Sequence, residues 1–184
     1  MTRFIQLIRP AIALLFLALA TLPLHANEDA DARYNELLET LTQSQSQSEA
    51  DIIANQIWEH WLTAPDEAAQ AVLDAAMERR AAYDFRGAIA ETDRLIKNYP
   101  DYAEGWNQRA TLYFLVGDYE ASLADVAQVL AREPRHFGAL AGKAMILFQQ
   151  GKLPLAQIAV REALKVHPFL RERSILGANT GTEL

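Results

Sequence analysis

One segment of this 184-residue chain repeats after 34 residues. Ala103–Pro134 reads AEGWNQRATLYFLVGDYEASLADVAQVLAREP, and Phe137–Pro168 reads FGALAGKAMILFQQGKLPLAQIAVREALKVHP. Shifted by 34, Ala110 falls on Ala144, Gly117 on Gly151, Ser122 on Ala156, Leu130 on Leu164 and Pro134 on Pro168. A weaker copy precedes them, with Ala76, Ala88, Ile96 and Pro100 in register. Self-similarity at a fixed period of roughly 20–50 residues is the mark of a stacked-repeat protein. That excludes most other folds, and it points to binding rather than to transformation.

Within each copy the apolar residues fall at helical spacing on either side of a turn. The small residues at Ala76, Ala110 and Ala144, and at Ala88, Ser122 and Ala156, mark where two helix axes cross closely and leave no room for a larger side chain. Gly117 and Gly151 sit at the turns, where a positive φ is needed. The prolines break the chain before the next copy. Pro154 falls in the first turn of its helix, where a missing N–H costs little. The weak copy predicts helices over about Asp66–Ala82 and Phe85–Asn98 with Asp84 as the cap between them. Val72, Arg79 and Tyr83 stand there in place of Trp106, Tyr113 and Gly117.

The residues before the repeats read as a further helical hairpin. Tyr34, Leu37, Leu38 and Leu41 predict a helix over Asn27–Thr42, and QSQSQS (Gln43–Ser48) a turn. Ser48, with Asp51 three residues on, then caps a second helix whose buried stripe is Ile52, Ile53, Gln56, Ile57 and Trp61. Trp58 and Trp61, one turn apart, read as buried packing, with a ligand-stacking pair as the alternative. At the other end, Phe169–Gly177 reads as a short helix covering the last copy. Arg171, Glu172 and Arg173 would face out, and Phe169, Leu170 and Ile175 in.

The pattern Trp106, Ala110, Tyr113, Gly117, Tyr119, Ser122 and Pro134 resembles the tetratricopeptide repeat. The resemblance implies an all-α helix-turn-helix solenoid with a right-handed superhelix. It divides the chain into a leader (1–26), an N-terminal hairpin that is a degenerate copy or a cap (27–65), three repeats (66–100, 103–134 and 137–168) and a capping segment with tail (169–184). YAEGWNQRA and EPRHFGAL are also similar to stretches of small exported bacterial proteins of this family.

In this architecture the first helix of each pair lines the concave face. The resemblance places Leu73, Met77 and Arg80, Asn107, Thr111 and Phe114, and Ala141, Met145 and Phe148 there as a candidate peptide-binding groove. Phe114 and Phe148 suit the groove and the core equally. Some family members hold a C-terminal carboxylate at these places with Lys, Asn and Arg. Here only Asn107 and Arg80 fit that role, so a helix or extended apolar segment is the expected occupant.

Residues 1–26 have the layout of a secretory signal: Arg3 and Arg9, the apolar run Ala11–Leu22, Pro23, and Leu24-His25-Ala26 before an abrupt acidic turn. The run falls short of the roughly 20 apolar residues that span a bilayer. Cleavage after Ala26, with an uncleaved anchor as the alternative, removes two arginines and no acids, taking the formal charge from −7 to −9. A periplasmic location is expected, with membrane contact only through an uncleaved leader.

Chemistry is hard to place. The chain has no cysteine, so disulfides and thiol catalysis are excluded. Its acidic charge carries no basic block for nucleic acid. No nucleophile elbow, P-loop or dinucleotide glycine pattern is present. His25, His60, His136 and His167 show no metal-ligand spacing, and His136, at a repeat junction, reads as structural or surface rather than catalytic. The expectation is a non-enzymatic protein without cofactor or metal. It binds a cell-envelope protein or peptide as an adaptor or assembly factor, with a holdase-like chaperone or a self-associating structural protein as alternatives.

Overall fold

The computed structural model of the protein describes residues 22–178, with side chains from residue 30. Most of the leader therefore lies outside the described residues, as does the tail from residue 179. The described residues form eight α-helices, one 3-10 helix and no strand. They are α1 (Leu22–Thr42), α2 (Gln47–Leu62), α3 (Glu67–Ala81), α4 (Phe85–Asn98), α5 (Ala103–Leu115), α6 (Tyr119–Arg132), α7 (Phe137–Gln149), α8 (Leu153–Val166) and a closing 3-10 helix (Arg171–Gly177). Among them no helix is long and apolar enough to cross a membrane. The chain divides after Arg33 into two units, and all three repeats belong to the second, which starts at Tyr34.

Helices α3–α4, α5–α6 and α7–α8 form three antiparallel pairs, each packed on the next through α4–α5 and α6–α7. The six small positions lie at the crossings within these pairs. Ala76, Ala88, Ala110, Ser122, Ala144 and Ala156 are all 3% exposed or less. Ser122 fits such a place because its hydroxyl donates to the carbonyl of Ala110 across the pair, at 2.7 Å. Arg109 on α5 ties the same region together, with a bidentate contact to Asp125 on α6 and one to Asp93 on α4. The hydrogen bonds it donates to Asp125 hold its guanidinium protonated well beyond the usual arginine range.

The turns share one geometry. In each, the residue at the Gly117 position has positive φ: +62 for Tyr83, +82 for Gly117 and +70 for Gly151. The amide after it donates five residues back, Asp84 to Arg79, Asp118 to Tyr113 and Lys152 to Leu147, each at 2.9 Å. This is the Schellman end of a helix. Tyr83 adopts it against the steric preference of a residue with a Cβ, and its ring remains 81% exposed. Asp84 and Asp118 then cap α4 and α6 through the amides of Gly87 and Ala121. Lys152 offers no such cap, and Pro154 opens α8 in its place.

The hairpin departs from expectation. Helix α2 starts at Gln47, and its cap is Ser46, which accepts from Glu49 N, not Ser48 with Asp51. Glu49 closes the turn because its longer side chain reaches back to the amide of Gln45 at 2.8 Å. The buried stripe is Ala50, Ile53, Ala54, Ile57 and Trp61; Ile52 points away and is 59% exposed. Nor does the hairpin stack on α3 as an additional repeat or an end cap. Helix α2 packs on α5, and its core joins Tyr34, Leu38 and Leu41 of α1 to Phe137 of α7, with Val166, Phe169 and Leu170 against them. The hairpin is thus laid along the first helices of the later pairs.

Candidate functional site

That placement encloses a cavity of about 710 Å³. One wall is α2, with Asp51, Ala54, Asn55 and Trp58. The other is α5 and α7, and the segment from His167 to Glu172 closes one end. Trp58 lies so close to α7 that a Cβ on Gly138 would sit 2.6 Å from its ring and push it aside. One turn further along the same face, Gly142 borders the cavity with nothing within 4 Å of its Cβ position.

Five of the nine predicted groove residues line this cavity: Asn107, Thr111, Phe114, Ala141 and Met145. Phe114 also packs into the α5–α6 core beside Tyr119. Phe148 lies apart, 44% exposed, and shares with Met145 a smaller hollow of about 280 Å³ under the 3-10 helix. Leu73, Met77 and Arg80 are not brought to the cavity. Leu73 is fully buried between α3 and α4, and Met77 packs on the same core, which Leu62 and Ala64 from the end of α2 and its link also cover. The guanidinium of Arg80 donates to Gln108 Oε1 at 2.8 Å. The cavity residues missed from sequence include Asp51, Trp58 and Phe169, which belong to segments outside the repeat frame, and His167, which ends the last repeat's second helix. Among them only the Trp58–Trp61 spacing carried a signal, as the alternative of ligand stacking.

Beneath the cavity floor lies a buried polar network. Glu104, 1% exposed, accepts from Asn107 Nδ2 at 3.1 Å and from Gln108 Nε2, and its Oε2 lies 3.1 Å from Nε2 of the fully buried His136. His136 also caps α7, its Nδ1 taking the amide of Ala139 at 3.1 Å. An amide can only donate, so Nδ1 is the acceptor, and the Nε2 proton points at Glu104. The Trp61 ring stacks on this imidazole with centroids 3.8 Å apart and planes 10° apart. Tyr102, the residue matching His136 one repeat earlier, donates its hydroxyl to the carbonyl of Trp61 at 2.7 Å. Two successive repeats therefore grip the same tryptophan. His136 has the structural role expected of it. Asn107 has its amide committed to Glu104, and Arg80 lies elsewhere, which leaves neither free for carboxylate capture.

His167 stands at the closed end, buried, with its edge to Phe137 and its Nδ1 facing the amide of Phe169. Burial pushes the proton affinity of this imidazole down, and Asp51 and Glu172 act in the opposite direction. The unfolded chain, whose imidazole titrates near ~6.5, thus takes up a proton first on acidification. Stability accordingly falls as the pH drops below about 6.5, and the loss levels off once the folded-state imidazole is also protonated. In urea titrations from roughly pH 7.5 to 5, His167→Phe is expected to reduce this slope. An unchanged slope would assign it to other groups.

No family model matches the chain. A TPR repeat-containing protein of Rhizobium etli is 36% identical over 150 residues, covering 78% of this chain and 71% of that protein. The chain belongs to the tetratricopeptide-repeat (TPR) family. Solved TPR structures share its fold. The TPR2B domain of yeast Sti1, in a pHsp70 complex, aligns with a TM-score of 0.56 at 19% identity, over 61% of this chain and 93% of that one. The TPR2AB domain of yeast Sti1, in a pHSP90 complex, aligns with a TM-score of 0.55 at 17% identity, over 84% and 63%. TPR arrays are typically scaffolds that bind proteins rather than enzymes, and the TPR frame here supplies the α5–α7 wall of the cavity.

Proposed function

We propose that this TPR protein is an exported adaptor or assembly factor that binds a segment of another cell-envelope protein in the cavity between α2 and α5–α7. The observation carrying this reading is the cavity itself. Its volume lies within the ~300–1,000 Å³ usual for binding sites, and its lining is more apolar than polar. The yeast Sti1 domains were solved with partners, which supports binding as the use of this fold. Capture of a carboxylate is disfavoured, since no lysine lines the cavity and Arg171 is its one arginine. Export rests on the signal-like residues 1–26.

The test is photo-crosslinking in cells from position 111 within the cavity, with mass spectrometry of the product. A discrete envelope protein is expected. Gly142→Trp should abolish the crosslink by filling open space while leaving the melting temperature near that of the parent. A crosslink that survives this substitution moves binding to another face. A broad set of unrelated exported chains in place of one partner would make the protein a holdase.

A further inference from the structure

The cavity mixes apolar surface with neutral polar groups such as Asn107 and Thr111 along its length, and its carboxylates stand at one end. Trp58, Phe114, Met145 and Phe169 present half-buried apolar surface to it. At the end made by α2 and the closing segment stand two carboxylates, Asp51 and Glu172. Both act electrostatically on the same buried ring, His167, so they share one neighbourhood. Among the described residues Asp51 accepts from the side-chain amide of Gln47 at 2.7 Å. Neither carboxylate forms an ion pair with a basic side chain among the described residues. Arg171, beside Glu172, also borders the smaller hollow and pairs with neither. His167 is no counter-cation, because its burial opposes protonation.

A ligand that fills the apolar part and leaves these carboxylates facing a low-dielectric occupant incurs their desolvation without return. An occupant that brings a cation offsets it. We propose, resting on the reading of the cavity as the binding site, that the bound partner segment carries a lysine or arginine next to its apolar anchor. The cation meets Asp51 and Glu172 while the anchor lies against Trp58 and Phe114. The acidic charge of the whole chain, −7, favours approach of such a segment as well.

The probes are three synthetic amphipathic helical peptides with the same leucine face, flanked by lysine, glutamine or glutamate. Binding to the full chain is read by fluorescence anisotropy at low salt and at high salt. The lysine peptide is expected to bind tightest, and its advantage to shrink as salt rises. Asp51→Asn and Glu172→Gln should each weaken it roughly two- to fivefold, the range for partly exposed ion pairs, and leave the glutamine peptide unchanged. The double variant Asp51→Lys/Glu172→Lys should invert the order so that the glutamate peptide wins. Equal binding of all three peptides, lost in Gly142→Trp, would overturn the cation preference and leave the cavity reading intact. Binding of all three that is untouched by Gly142→Trp would overturn both. A dimer by light scattering that dissolves in Gly142→Trp would replace the partner with a second copy and also overturn the proposal.

Discussion

Trp61→Ala is expected to destabilise the protein by about 3–5 kcal/mol, the usual result of truncating a fully packed aromatic residue. Trp61 is 6% exposed and stacks on His136. Its ring also meets Trp58 edge-on with centroids 5.1 Å apart, and Phe137 at 4.8 Å. The indole N–H donates to the Tyr34 hydroxyl at 2.9 Å, so the truncation also leaves a buried phenol short of a donor. Trp61 is thus a central contact between the hairpin and the array, beside Trp58. The loss should therefore be local as well as large. In urea followed by circular dichroism, the variant is expected to show an early hairpin transition ahead of the array. Trp58→Ala, which removes a half-buried ring, should cost less. A single transition with an unchanged midpoint would show that the hairpin is held elsewhere.

Glu104→Leu is expected to cost a similar amount, about 3–5 kcal/mol, for an electrostatic reason. The leucine keeps the volume but removes the acceptor for three buried donors, Asn107 Nδ2, Gln108 Nε2 and His136 Nε2. A buried donor without a partner costs about 1–3 kcal/mol, and there is no water-exposed alternative for His136. Glu104→Gln retains one oxygen but sets an amide N–H against donors, so it should fall between leucine and the parent. The expected order of urea midpoints is parent, then glutamine, then leucine. A leucine variant as stable as the parent would mean the donors find other acceptors. The leucine variant also frees the Asn107 amide toward the cavity, and its peptide binding should change alongside its stability.

The repeats were legible because their determinants are local and periodic. Ala76, Ala110 and Ala144 announce close helix crossings at a 34-residue spacing, and the structure buries all three. The frame even located the third turn at Tyr83, although tyrosine is a poor residue for φ +62. Non-periodic contacts left no such trace. Nothing in the spacing of Trp61 and His136 shows that they stack. Glu104 and His136 lie 32 residues apart, and only the packing of α5 against α7 makes them partners. The groove residues on α5, and Ala141 and Met145 on α7, reached the cavity because the hairpin leaves that stretch open, whereas Phe148 lies beyond it. Those on α3 did not, because the end of α2 and its link cover it. The export signal depends on residues read from sequence alone.

The nesting of the hairpin has a consequence for the order of folding. Contacts within the helix pairs join residues close in sequence, whereas Asn35 bonds Arg135 across 100 residues. Closing so long a loop before the pairs exist carries an entropic penalty that grows with its length, and such non-local contacts slow folding. The pairs α3–α8 therefore form first, and the hairpin docks last. Yet the ribosome makes it first. Until His136, Phe137 and the segment to Leu170 have been added, Ile57 and Trp61 have only the α1 side of their core to settle on, and a hairpin that precedes the array in sequence follows it in folding.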